Sequence, residues 1–121
     1  MRAFLAVSDR PTQALYAISA LGGPQRAALD VALDGWRQRL IGMTTQGAPE
    51  ERMVLTAAFG RAFGYYDGFL FEVRSDALGE ERPVAAGGRY DGLPARLGAE
   101  TKTGAVGCMV RPARAYAGGG E

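Results

Sequence analysis

Residues 65–74 read Tyr-Tyr-Asp-Gly-Phe-Leu-Phe-Glu-Val-Arg, and their alternation decides the fold class. In an extended chain Phe69, Phe71 and Val73 share one face, with Leu70 and Glu72 on the other. Ser75–Arg82 is charged and contains Gly79, which suits an exposed hairpin loop. Pro83–Arg89 resumes as a strand that runs into glycines, and Gly104–Val110 reads as another. Upstream, Met53–Phe59 is an apolar run of strand length. Tyr90–Leu97 fits one short helix, limited by Pro94. About four strands joined mostly as hairpins give an α+β pattern, not strand–helix–strand alternation.

The N-terminal part has another texture. Pro11 suits the first turn of a helix, with Ser8 or Asp9 as candidate caps. Ala14, Leu15, Ile18 and Leu21 recur at helical spacing. Gly22-Gly23 stops that helix and Pro24 opens the next. There Leu29, Leu33, Trp36 and Leu40 form one apolar stripe, with Asp30, Asp34, Arg37 and Gln38 mostly off it. Ordinary core packing is the simpler reading of the stripe, and a partner-binding face is the other. Residues 43–51 are polar and turn-rich, a linker, and the tail from residue 115 onward reads as frayed. The expected organisation is therefore a helical hairpin over residues 1–45, followed by a sheet region over residues 46–121.

Composition excludes much chemistry. The chain has 121 residues and a net charge of +1, with no His, one Cys (Cys108), and Lys102 as the only lysine among 14 basic residues. Without His there is no Ser-His-Asp triad, no Cys–His pair and no imidazole metal ligand within these residues. One cysteine rules out an internal disulfide and Cys-x-x-Cys chemistry. No apolar run approaches a membrane span, and Met1–Ser8 lacks a signal-peptide pattern. Balanced charge argues against a general nucleic-acid binder. The expectation is a soluble cytoplasmic protein with no metal and no cofactor. At this length about two thirds of the surface can be buried, enough for a core without staples.

Six of the eleven aromatic residues fall between Phe59 and Phe71, with Gly60, Gly64 and Gly68 among them. Such a surface can be approached closely by a ligand, while tyrosine hydroxyls orient a polar group. A core in which glycines admit neighbouring rings fits the same residues. Ala86-Gly87-Gly88-Arg89-Tyr90-Asp91-Gly92-Leu93 is a second cluster. It matches neither the Walker nor the Rossmann glycine pattern. Arg89 and Asp91 read as a structural pair at a strand-to-helix turn. Asp67, Glu72 and Asp91 are the nearby acids, and nothing local brings two together.

The run Phe59–Val73 resembles the Arg-Gly-Leu-Asp-Tyr-Tyr-Thr-Gly…Phe-Glu motif of histidyl-tRNA synthetases. Ala86–Leu93 resembles their second histidine-binding motif, and Ala105-Val-Gly107 the start of their third class II motif. The resemblance covers residues 54–114 and implies a class II synthetase-like antiparallel sheet with flanking helices, here partial. It implies a histidine pocket: Arg61 falls on the arginine that acts during histidine activation, and Tyr66 and Tyr90 on tyrosines lining the pocket. Tyr65, Gly87, Gly88 and Arg89 fall within the same motifs.

Departures point further. Gly64 stands where the synthetases have Asp, and Asp67 where they have Thr. The third motif continues Arg111-Pro112-Ala113-Arg114 instead of Gly-Leu-Glu-Arg, which alters the nucleotide site. These features resemble the paralogous regulatory subunits of ATP phosphoribosyltransferase. That resemblance implies a non-catalytic protein, a C-terminal portion of a longer one. Its expected partners are a catalytic phosphoribosyltransferase subunit and histidine as ligand, with a homodimer inside a hetero-oligomer when full length. A fragment of a true histidyl-tRNA synthetase, activating histidine with ATP, is the alternative. A tRNA-binding module is a third reading.

Overall fold

The computed structural model describes residues 1–60, 64–101 and 103–118. These form two compact units, Met1–Phe59 and Gly60–Glu121.

The first unit opens with a short helix α1 (Arg2–Leu5) and a two-residue strand β1 (Ser8–Asp9). Helix α2 (Pro11–Ala20) follows, with Pro11 at its first position, where a missing N–H costs nothing. The expected Ser8 or Asp9 cap does not form. Arg10 occupies the cap position without a side-chain cap bond, and Asp9 accepts from the Arg10 N–H at 2.7 Å. The Thr12 N–H instead donates to Glu50 at 2.9 Å, a carboxylate 38 residues downstream. This bond and the Thr12 hydroxyl hold the Glu50 carboxyl below its ordinary range; the hydroxyl has the larger effect.

Gly23, at φ 47°, begins a 3₁₀ turn over Gly23–Gln25 that leads into helix α3 (Arg26–Thr45). Leu15, Ile18 and Leu33 are buried together, with Val7, Leu29, Trp36 and Leu55 packed against them. The expected stripe thus packs largely as core. Leu21 departs from it: it lies past the end of α2 and is half exposed. Asp30 is also more than a surface acid. It accepts the buried Ser19 hydroxyl at 2.6 Å and lies within 4 Å of Arg26 and Arg37, pinning α3 to α2. The Ser19 bond is the main reason that its carboxyl sits below the ordinary range, with the two guanidinium groups adding to it.

The expected linker is ordered. Met43–Thr45 belongs to α3, and Glu50–Arg52 forms a 3₁₀ turn held by Glu50. Of the apolar run 53–59 only β2 (Leu55–Thr56) pairs, antiparallel with β1, and the Ala57 N–H adds a bond to Val7 O.

The second unit is a three-stranded antiparallel sheet ordered β3 (Leu70–Val73), β4 (Ala85–Arg89), β5 (Val106–Val110). The β3–β4 hairpin has the expected loop, with a 3₁₀ turn at Asp76–Leu78 and Gly79 at φ 73°. Register pairs Phe71 with Gly87 and Leu70 with Gly88 on one side, and Gly88 with Gly107 on the other. Helix α4 (Gly92–Arg96) is shorter than the expected 90–97 and ends in a Schellman motif. There the Ala99 N–H reaches Pro94 O, and the N–H of Gly98, at φ 95°, reaches Ala95 O. The tail is not frayed throughout: Pro112–Gly118 forms helix α5, and Arg114 Nη1 ties it to Pro83 O at 3.2 Å.

Length alone predicts one substantial core. The structure divides it in two, and each small unit carries more surface per volume. Among the described residues the buried apolar side chains are Pro11, Ala14, Leu15, Ile18 and Leu33 in the first unit and Ala85 and Ala86 in the second.

Candidate functional site

The tyrosines of the two motifs meet at one end of the sheet, where β3 begins, β4 ends and β5 begins. The rings of Tyr65 and Tyr66 lie 4.3 Å apart and tilted by 34°. Tyr90 stands edge-on to both, at 5.5 Å from Tyr65 and 6.1 Å from Tyr66. The Tyr65 hydroxyl donates to the Tyr66 hydroxyl at 3.1 Å. All three tyrosines are half-buried.

Glycines seat these rings. A Cβ on Gly88 would stand 2.9 Å from Tyr66 Cδ1, and one on Gly107 would stand 2.5 Å from the Tyr90 hydroxyl. Gly88 and Gly107 are cross-strand partners, so both vacant positions open on the same face. Gly87 opens on the other face, against Phe71 Cε1 at 3.0 Å and the backbone of β5. Phe71 in turn stacks on Phe69 at 5.8 Å. The space at Gly87 and Gly88 is thus taken by the backbone of the neighbouring strands together with Leu70 and the rings of Phe71 and Tyr66.

A polar clamp fixes the same corner. The two carboxylate oxygens of Asp67 accept the N–H groups of Asp91 at 2.9 Å and Gly92 at 2.6 Å. The Asp67 N–H donates to Arg89 O at 3.2 Å. Asp91 accepts Arg89 Nε at 2.6 Å through one oxygen and the Ala105 N–H at 2.9 Å through the other. Gly104 leaves room for this pair: a Cβ there would stand 2.8 Å from Arg89 Nη2. The Arg89 bond, then the Ala105 N–H, holds the Asp91 carboxyl below its ordinary value, against a smaller opposing effect of burial.

Of the residues singled out from sequence, Tyr65, Tyr66, Gly88, Arg89 and Tyr90 converge here. Arg89 does so as the partner of Asp91, at the strand-to-helix turn where a structural pair was expected. Gly87 faces away, and Arg61 lies outside the described residues. Sequence reading missed Gly107 and the reach of Asp67. Gly107 stood among the residues quoted for the third motif, without a place in the pocket. Asp67, directly after the tyrosine pair, carried no local sign of its partners 24 and 25 residues away.

A separate concavity of about 480 Å³ lies on the helical unit, lined among others by Leu15, Tyr16, Arg26, Asp30 and Arg37. Its charged groups Arg26, Asp30 and Arg37 are paired with one another. Among the described residues no group of His, Cys, Asp or Glu could hold a metal ion, and no helix is long and apolar enough to cross a membrane.

Comparison with known proteins places these features in context. A family model described as Histidyl-tRNA synthetase matches residues 2–114. A protein of Mesorhizobium japonicum named ATP phosphoribosyltransferase regulatory subunit is 37% identical over 110 residues, 91% of this chain and 29% of its own length. Proteins of the same name from Agrobacterium fabrum and Sinorhizobium medicae are 36% and 37% identical over 88% of this chain. The chain thus spans under a third of the length of the curated relatives it matches. No solved structure matches it. Because the family match runs through the helical unit and the tyrosine seat alike, the chain belongs to the histidyl-tRNA synthetase family.

Proposed function

We infer that this chain works within a regulatory subunit of ATP phosphoribosyltransferase. In this reading it has no catalytic activity of its own and assembles with a catalytic phosphoribosyltransferase subunit in the cytoplasm. The observation that carries the reading is the 37% identity to a protein of that name across 91% of the chain.

The third motif supports it. In the synthetases, as the resemblance implies, Gly and Arg serve ATP at this point. Here Pro112 begins α5 and the retained Arg114 is spent on the Pro83 carbonyl. The sheet is read as part of a class II synthetase-like core. The tyrosine seat, with Arg61 beside it in sequence, is read as a site for histidine: phenol hydroxyls can bond an imidazole while the rings exclude water.

The test uses the longer protein that contains this chain. Mixed with a catalytic phosphoribosyltransferase subunit, it restores activity and the inhibition of that activity by histidine. Failure to restore activity, with histidine-dependent ATP–pyrophosphate exchange by the longer protein itself, would assign it to the synthetases instead.

A further inference from the structure

Tyr65 sits in a turn ahead of β3 with Tyr66 directly after it, and Tyr90 lies just past the end of β4. Asp67 follows Tyr66 directly and brackets Tyr90 from both sides. Its N–H binds the carbonyl of Arg89, and its carboxylate binds the N–H of Asp91. The Tyr90 N–H itself reaches Ala105 O at 2.9 Å. The backbone on either side of the Tyr90 ring is therefore fixed to the residue next to Tyr66.

We propose that Asp67 is the positioning residue of the tyrosine site: its paired bonds to Asp91 and Gly92 set the spacing of Tyr66 and Tyr90 and thereby the affinity for a ligand that binds against these rings. The residue type suits the task. A carboxylate offers two acceptor oxygens on a short stem and takes two adjacent N–H groups at once. A threonine, the residue that the synthetase motif has here, offers one. The Asp91 carboxylate continues the same brace to β5 through Ala105, and its bond to Arg89 keeps it ionised and oriented. The identity of the ligand as histidine rests on the reading given above; the role of Asp67 in spacing the rings does not.

The experiment compares wild type, Asp67→Ala, Asp67→Asn and Glu50→Gln in the longer protein. It measures the near-ultraviolet circular dichroism of the tyrosines, histidine affinity by calorimetry, and thermal unfolding. Asp67→Ala is expected to lose much of the tyrosine band and about tenfold in affinity, the scale of one charge-assisted hydrogen bond. Asp67→Asn keeps one acceptor and falls between. Glu50→Gln, a change within the helical unit, lowers thermal stability and leaves band and affinity unchanged. An Asp67→Ala protein with wild-type band and affinity would overturn the proposal. So would an affinity loss matched by Glu50→Gln, since that marks a general loss of stability. If Asp67→Ala fails to fold, Asp67→Asn decides by the same two readouts. Wild type without histidine binding would reject the histidine reading alone, leaving the tyrosine band to decide on Asp67.

Discussion

Gly88 stands opposite Gly107 across β4 and β5, and the two absent side chains make the seat for Tyr66 and Tyr90. A methyl at Gly88 would meet Phe69 O at 2.6 Å and Leu70 Cδ2 at 2.8 Å as well as the Tyr66 ring. A backbone carbonyl in the ladder cannot move aside cheaply. Gly88→Ala is expected to destabilise by about 1–3 kcal/mol, the usual cost of overpacking. Gly60→Ala, where a Cβ meets nothing within 4 Å among the described residues, serves as the control in urea unfolding. Equal midpoints for the two variants would contradict the tight seat.

Gly42 presents the opposite case. It lies inside α3, is exposed, and has open space where its Cβ would stand. Gly42→Ala removes the entropic cost of glycine in a helix and is expected to stabilise by about 0.5–1 kcal/mol. A thermal midpoint that falls would show that α3 needs the glycine for another reason.

The pH dependence should be acid-sided. Asp30, Glu50 and Asp91 all have carboxyls held below their ordinary values in the folded chain. A depressed group contributes stability above its unfolded value, 3.8 for the aspartates, and that contribution fades as pH falls through the lower folded value. Stability should therefore stay level from neutral pH down to about pH 5 and drop below about pH 4. Asp91→Asn should flatten the acid limb for the sheet unit. A limb unchanged in that variant would count against the Arg89–Asp91 pair.

Glu50 ties the turn at Glu50–Arg52 back to the first turn of α2. Glu50→Ala leaves the Thr12 N–H without this acceptor and should lower helical content at α2, seen as faster amide exchange at Thr12 and Gln13. Unchanged exchange at these two amides would mean that water serves equally well.

For the proposed ligand site, Tyr66→Phe and Tyr90→Phe in the longer protein should each weaken histidine binding by about 0.5–1.5 kcal/mol, the worth of a neutral hydrogen bond. Calorimetry giving wild-type affinity for both would remove the hydroxyls from the recognition.

What was legible in the sequence was what repeats locally. Leu15, Ile18 and Leu33 announce the helical core through their spacing, and Phe69 to Val73 announce a two-faced strand. Arg89 and Asp91 lie two residues apart at a turn, close enough to be read as a pair. Polar side chains that act at a distance carry no period. Glu50 reaching Thr12, and Asp67 reaching Asp91 and Gly92, depend on the chain having already folded back. Residues 115–118 depart from the expected fraying for a related reason. The small residues from Ala115 onward suggest fraying, but α5 starts earlier, at Pro112, and is held from Arg114 to the carbonyl of Pro83.

The middle strand of the sheet, Ala85-Ala86-Gly87-Gly88-Arg89, supplies almost no side chain of its own at its buried positions. Its neighbours fill the space instead, the backbone of β5 and Phe71 on one face, the Phe69 carbonyl, Leu70 and Tyr66 on the other. Loss of either ring would not by itself admit a larger residue, because the carbonyl of Gly107 at position 87 and that of Phe69 at position 88 stand closer still. Any drift of this strand away from glycine would therefore have to move the backbone of a neighbouring strand as well as the rings.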